Sequence, residues 1–129
     1  MAEADKLIQE ELMSFYKRTF EAFIKNHSSL YSIVEKILSN KKNHIGMRIT
    51  SNGSNIGEYT LHFNGATVPE LESGVLYSEL HTPFGIMKPY VIMEKSTVEK
   101  IIADEENFIK DPIATKMKYV PEMTIKFLK

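Results

Sequence analysis

His44-Ile45-Gly46-Met47-Arg48-Ile49-Thr50, answered by Ile56-Gly57-Glu58-Tyr59-Thr60-Leu61-His62-Phe63, is the stretch that decides the fold. In both runs apolar and polar residues alternate, the period of an extended strand whose successive side chains point to opposite faces. Ile45, Met47 and Ile49 then share a face with Tyr59, Leu61 and Phe63, and the polar groups share the other. A tight turn at Asn52-Gly53 with an unbroken ladder sets Ile49 opposite Ile56 but Met47 opposite Glu58, mixing the faces. Face matching therefore requires an odd-length loop centred on Gly53. That register puts Arg48 opposite Glu58, Gly46 opposite Thr60 and His44 opposite His62.

Upstream the period changes. Leu7, Ile8, Leu12, Phe15, Tyr16, Thr19, Phe20, Phe23 and Ile24 recur at intervals of three and four, which predicts a long amphipathic helix from Ala2 to Lys25. Glu3 and Asp5 at its start and Lys17, Arg18 and Lys25 toward its end complement the helix dipole. Asn26-His27-Ser28-Ser29 is a break, with a serine as N-cap for a second helix carrying Leu30, Ile33, Val34, Ile37 and Leu38. Asn40-Lys41-Lys42-Asn43 ends it, so residues 1–43 form a helical part and 44–129 a sheet-and-helix part of a single domain.

Beyond the hairpin, Asn64-Gly65 reads as a turn, and Pro69 to Gly74 as a connection into a strand from Val75 to Leu80. The loop Thr82-Pro83-Phe84-Gly85 follows, then a short apolar strand, Tyr90-Val91-Ile92-Met93. Ser96-Thr97-Val98-Glu99 is a capping box opening a helix through Val98, Ile101, Ile102, Phe108 and Ile109. Asp111-Pro112 opens a second short helix around Ile113 to Met117. Met123, Ile125 and Phe127 alternate with polar neighbours in a last strand. The expected fold class is α+β: two N-terminal helices, an antiparallel sheet of about five strands, and a helical excursion before the last strand.

A chain of 129 residues suits one domain that buries roughly two thirds of its unfolded surface. The absence of Cys removes disulfides and thiol chemistry and fits a reducing interior. The start, Met1-Ala2-Glu3-Ala4-Asp5, is acidic and leads into an amphipathic pattern, unlike a signal peptide or a membrane span. A cytoplasmic protein with no integral membrane segment is expected. Net charge is -1, but no Lys or Arg occurs from Ile49 to Met87 while Glu58, Glu70, Glu72 and Glu79 do. Such a locally negative sheet repels phosphates, so nucleic acid is not an expected partner.

Chemistry-bearing residues are few. His44 and His62, cross-strand neighbours with Cβ atoms about 5 Å apart, are close enough to share a metal, but two ligands do not make a site. Tyr77, Glu79 and His81 share one face of their strand and could set a carboxylate against an imidazole for general acid/base work. No nucleophile, oxyanion donor, phosphate loop or histidine-rich metal motif accompanies them, so no catalytic residue, metal or cofactor is assigned. Met47, Met87, Met93, Met117 and Met123 share the sheet half with Tyr59, Phe63, Phe84, Tyr90, Phe108, Tyr119 and Phe127. That composition suits either a cavity for flexible apolar ligands or ordinary core filling. The apolar, glycine-hinged Phe84-Gly85-Ile86-Met87 reads as a pocket lip or as a loop packed over the core.

Over residues 44–125 the order of elements resembles the sterol carrier protein family of small intracellular lipid-binding domains. The resemblance is carried by Gly57-Glu58-Tyr59-Thr60-Leu61-His62-Phe63, by Tyr90-Val91-Ile92-Met93 running into Ser96-Thr97-Val98-Glu99-Lys100-Ile101-Ile102, and by Asp111-Pro112-Ile113-Ala114. The chain departs from the family in lacking a glycine before its last strand and a terminal helix after it, and in its long helical beginning. The resemblance implies a five-stranded sheet with helices over one face, an apolar cavity between them, and no catalytic residues. The expected function is therefore non-enzymatic binding or carriage of an apolar ligand, a fatty acyl or sterol-like molecule, in a pocket lined by Leu61, Phe63, Met93, Ile101 and Met117. The alternative is a protein-interaction module, a homodimer through the N-terminal helix, whose apolar stripe is longer than a small sheet needs to cover. A third reading is a small enzyme or metal protein built on Tyr77, Glu79 and His81 or on the histidine pair.

Overall fold

A computed structural model describes residues 3–38, 42–64 and 69–128. A π-helical stretch, Leu7–Leu12, in which the Met13 amide reaches back to the Ile8 carbonyl, runs into α1 (Met13–Asn26). The helix α2 (Ser28–Leu38) folds back on it, and the N-cap position is His27, whose carbonyl accepts the Tyr31 amide at 2.9 Å, rather than a serine. Ala2, Asn40, Lys41 and Gly65 lie outside the described residues, as do the side chains of Val34, Ile37 and Leu38.

The expected hairpin forms from β1 (Lys42–Ser51) and β2 (Ser54–Asn64) with the register that face matching requires: His44 opposite His62, Gly46 opposite Thr60, Arg48 opposite Glu58. Its turn differs. Asn52 and Gly53 both have positive φ, 52° and 83°, the mark of a two-residue primed turn, and Ser51 pairs with Ser54. The odd residue is absorbed as a bulge, since Thr50 pairs with Asn55 but Ile49 with Gly57, leaving Ile56 extra. The bulge restores face matching without an odd-length loop.

The α+β class and the five-stranded sheet are as expected, but the sheet is mixed, in the order β3-β2-β1-β6-β7. β3 (Glu70–Ser73) pairs antiparallel with β2, in the segment read from sequence as a connection. β6 (Pro89–Glu94) runs parallel to β1, and β7 (Thr124–Phe127) antiparallel to β6. The expected strand from Val75 to Leu80 is replaced by a crossover that meets β1 through His44 and Glu79 and continues into a separate hairpin, β4 (Leu80–Thr82) and β5 (Gly85–Met87). The crossover lies on the face of Gly46, where an added Cβ would stand 2.9 Å from Leu76 Cδ1 and 3.0 Å from the Tyr77 carbonyl. Glycine is required there because another backbone approaches.

α3 (Lys95–Ala103), α4 (Glu105–Lys110), α5 (Pro112–Tyr119) and a 3-10 turn (Val120–Glu122) form the excursion. Asp111 caps α5 as expected, accepting the Ala114 amide. The capping box does not form: α3 begins at Lys95, Ser96 makes no cap, and the N-cap residue Glu94 is used elsewhere. Its carboxylate accepts the Asn52 and Gly53 amides and the Thr50 hydroxyl, which fastens the end of β6 to the β1–β2 turn.

The opposite face of the sheet carries the core. Met47, Ile49, Tyr59 and Met93 meet Ala4, Leu7, Ile8 and Phe15 from the first helical segments and Val98, Ile101 and Tyr119 from the excursion. Residues from before and after position 43 thus share one core. Full burial contributes about 1.5–3 kcal/mol for each such aliphatic side chain. Part of the stripe of α1 packs within the chain: Phe15 meets Phe108 edge-on at 5.3 Å, and Phe20 and Phe23 meet Tyr31 of α2 at 5.9 and 6.5 Å. Part of the apolar length expected to favour dimerisation is thus packed within the chain, while Tyr16, Phe20, Phe23 and Ile24 stay half-buried.

Candidate functional site

The helices roof only part of the sheet. Where β1 carries Met47 and Ile49 the inner face is buried; toward the start of β1 the same alternation passes through half-buried Ile45 to buried Asn43, while Leu61 and Phe63 opposite them on β2 are half-buried. Leu71, Leu61 and Ile45 lie side by side across β3, β2 and β1. On the other flank Val91 pairs with Ile125, and Pro89 with Phe127. Ile125 and Phe127 are 57 % and 60 % exposed although they stand on the core-facing side. Together with half-buried Phe63 these apolar side chains form a strip spanning five strands, and Leu71 and Val91 among them pack against the core.

The residues predicted to line a pocket divide along that boundary. Leu61 and Phe63 belong to the open strip, both half-buried. Met93 and Ile101 are buried in the core beside it. Met117 does not join them: Thr115 and Tyr119 are the inward residues of α5, and Met117, between them, is 62 % exposed on the other side. A separate open depression of about 410 Å³ lies at the other end of β2, lined by Glu3, Asn55, Ile56, Gly57, Glu58 and Gly74. It shares no residue with the predicted set. Leu71 and Ile125 were missed as neighbours of Leu61 and Val91, because assigning them requires β3 and the partner of β6 to be known.

The polar residues singled out from sequence do come together, on the outer face. His44 Nδ1 and His62 Nδ1 are 2.7 Å apart, and His62 Nε2 is 2.8 Å from Glu72 Oε1. One Nδ1 must carry the hydrogen and the other the lone pair. The Glu72 carboxylate only accepts, so with both rings neutral His62 places its hydrogen on Nε2 and His44 donates through Nδ1. The 2.7 Å separation is that of a hydrogen bond between the two rings. Among the described residues no cluster of three metal-ligating side chains occurs.

Across the crossover, the Tyr77 hydroxyl donates to Glu79 Oε2 at 2.6 Å and His81 Nε2 lies 3.2 Å from Glu79 Oε1. The Tyr77 hydrogen bond, with nearby His81 and His44, holds the Glu79 carboxyl below its usual range, and the same bond pushes the Tyr77 phenol up. Both carboxylate oxygens are engaged, so the trio clasps the crossover rather than presenting a free base. Ser78, buried beneath it, donates to the His44 and Pro89 carbonyls, and Thr60 donates to the Val75 carbonyl.

No family model matches the chain and no curated protein is similar to it. Among the described residues no helix is long and apolar enough to cross a membrane.

Proposed function

We propose that the chain binds and carries an apolar ligand, a fatty acyl or sterol-like molecule, against the partly roofed inner face of its sheet. The observation that supports this is that the inner face of the sheet continues past the buried core through half-buried Ile45, Leu61 and Phe63 to exposed Ile125 and Phe127, with Leu71 and Val91 packed against the core at its edge. A ligand there continues the core outward. Its affinity comes from apolar area removed from water, at roughly 25 cal/mol per Å². Leu61 and Phe63 contact the ligand, while Met93 and Ile101 form the floor of the roofed end. No side chain is assigned a chemical step, and the histidine and Glu79 networks fasten the opposite face. The resemblance to sterol carrier proteins is consistent with this reading on the residues quoted above.

Native mass spectrometry of the purified protein, before and after organic extraction and again after addition of palmitate, tests the proposal. A bound mass that extraction removes and palmitate restores supports it. A protein that stays free of adduct at a large molar excess of palmitate contradicts it.

A further inference from the structure

Asn52 and Gly53, the two residues of the β1–β2 turn, are both exposed, and nothing lies within 4 Å of the place where a Cβ would stand on Gly53. An asparagine followed by glycine is chemically labile, because glycine puts no side chain in the way of a five-membered ring. The Gly53 nitrogen attacks Cγ of Asn52. Its proton goes to hydroxide, the N–Cγ bond forms, and the side-chain nitrogen leaves with a proton from water as ammonia. Water then opens the cyclic imide. Attack at the side-chain carbonyl gives aspartate, and attack at the main-chain carbonyl gives isoaspartate, in which the backbone runs through Cβ and Cγ.

This turn differs from a bare Asn-Gly pair in its contact with Glu94. The Glu94 carboxylate accepts the Asn52 amide at 2.9 Å and the Gly53 amide at 3.3 Å, and the Thr50 hydroxyl donates to it. The nitrogen that must lose its proton is therefore one whose proton the carboxylate already holds. Removing that proton leaves an anion beside an anion, which like-charge repulsion disfavours. A carboxylate is far too weak a base to take an amide proton itself. The backbone is also pinned: both turn residues sit at positive φ, and one carboxylate fixes both amides. The Gly53 nitrogen swings toward Asn52 Cγ only when that contact opens.

Conversion acts back on the contact. Aspartate at position 52 puts a second negative charge on the residue whose amide Glu94 holds. Isoaspartate lengthens the backbone between the paired Ser51 and Ser54, which a two-residue turn does not accommodate. Either product loosens the end of β6 and the start of α3 from the hairpin, because Glu94 is also the N-cap residue of α3.

We infer that Asn52-Gly53 is a site of spontaneous conversion to aspartate and isoaspartate, and that the Glu94 carboxylate guards it by holding the two turn amides. This inference is independent of the carrier reading. Ageing the folded protein in ¹⁸O water at neutral pH, followed by peptide mapping, tests it, since each converted residue gains a labelled oxygen. A synthetic peptide of residues 49–56 supplies the rate of the unguarded sequence. Asn52 should convert at least roughly tenfold more slowly in the folded wild type than in the peptide. Glu94→Gln, which keeps an acceptor but removes the charge, should recover a several-fold acceleration. The other Asn-Gly pair of the sequence, Asn64-Gly65, begins at the opposite end of β2 and serves as the reference within the same molecule, so its rate should not follow Glu94→Gln.

Equal rates at Asn52 in the folded wild type and the peptide overturn the inference, and that comparison does not depend on any variant. So does a Glu94→Gln protein that converts no faster than wild type at Asn52. A rate that rises equally at Asn52 and Asn64 assigns the acceleration to general loosening and overturns the role of Glu94. Asn52→Asp, the aspartate product, should melt below the wild type at neutral pH and lose that difference in the Glu94→Gln background; an unchanged melting temperature overturns the coupling to β6.

Discussion

Gly57 faces the core-facing ring of Tyr59, and a Cβ built there would lie 2.6 Å from the phenolic oxygen. That ring cannot give way, because it is fully buried and its hydroxyl donates to Asp5 at 2.7 Å. Gly57→Ala should therefore destabilise the protein by about 1–3 kcal/mol, as overpacking does, measured by urea unfolding. The histidine pair makes a second residue-level prediction. In a ¹⁵N spectrum of the neutral rings, His44 should be the Nδ1–H tautomer and His62 the Nε2–H tautomer; two identical tautomers would contradict the hydrogen-bonded pair. Asp104 gives a third. Lys118, Asn107 and Tyr119 all donate to its carboxylate and bring its pKa from 3.8 down to about 2. A folded-state value below the unfolded one contributes stability that is complete above the ordinary carboxylate range and lost as pH falls toward about 2. Asp104→Asn should lower stability at neutral pH and flatten that acid limb, read from melting temperature against pH.

Among the elements, the β1–β2 hairpin shows what sequence can and cannot convey. Its face register is legible from the side chains alone, because a slip by one residue exchanges buried and exposed positions. The bulge at Ile56 is not, since a longer loop and a tight turn followed by a bulge satisfy the same alternation. The positive φ of Gly53 makes the turn testable: Gly53→Ala should cost about 1–2 kcal/mol if the primed turn is present and almost nothing in a loose loop. Glu94 was invisible as a turn ligand, because the Ser96 to Glu99 pattern suggested a helix start with its own cap. Its carboxyl is held below its usual range by the Thr50 hydroxyl, with the Gly53 and Asn52 amides adding to the effect. Glu94→Gln should lower the melting temperature and broaden the amide signals of Asn52 and Gly53. β3 was missed because Glu70-Leu71-Glu72-Ser73 lacks the β-branched and aromatic residues that mark strands, and an edge strand can form without them.

At the scale of the molecule, that missed strand is why the sheet direction was misjudged. Each antiparallel strand reverses the chain, so adding β3 and the outer-face crossover returns β6 parallel to β1. The crossover itself rests on Gly46 and backbone hydrogen bonds, which leave no period in the sequence. Of the five residues expected to line a pocket, Leu61, Phe63, Met93 and Ile101 lie on the core side of the sheet, but only topology shows which of them the helices cover. Ile101 is core, so Ile101→Trp should cost about 1–3 kcal/mol in stability. Leu61→Trp, at the open strip, should cost much less and interfere with ligand.

The central claim is that the open strip holds an apolar ligand, and titration of delipidated protein with a fluorescent fatty acid tests it most directly when wild type and Leu61→Asp are compared. Saturable uptake by the wild type, displaced by unlabelled palmitate and lost in a Leu61→Asp variant that keeps its far-ultraviolet circular dichroism, is the expected result. No saturable uptake by the wild type, or equal uptake by a folded Leu61→Asp variant, would contradict it.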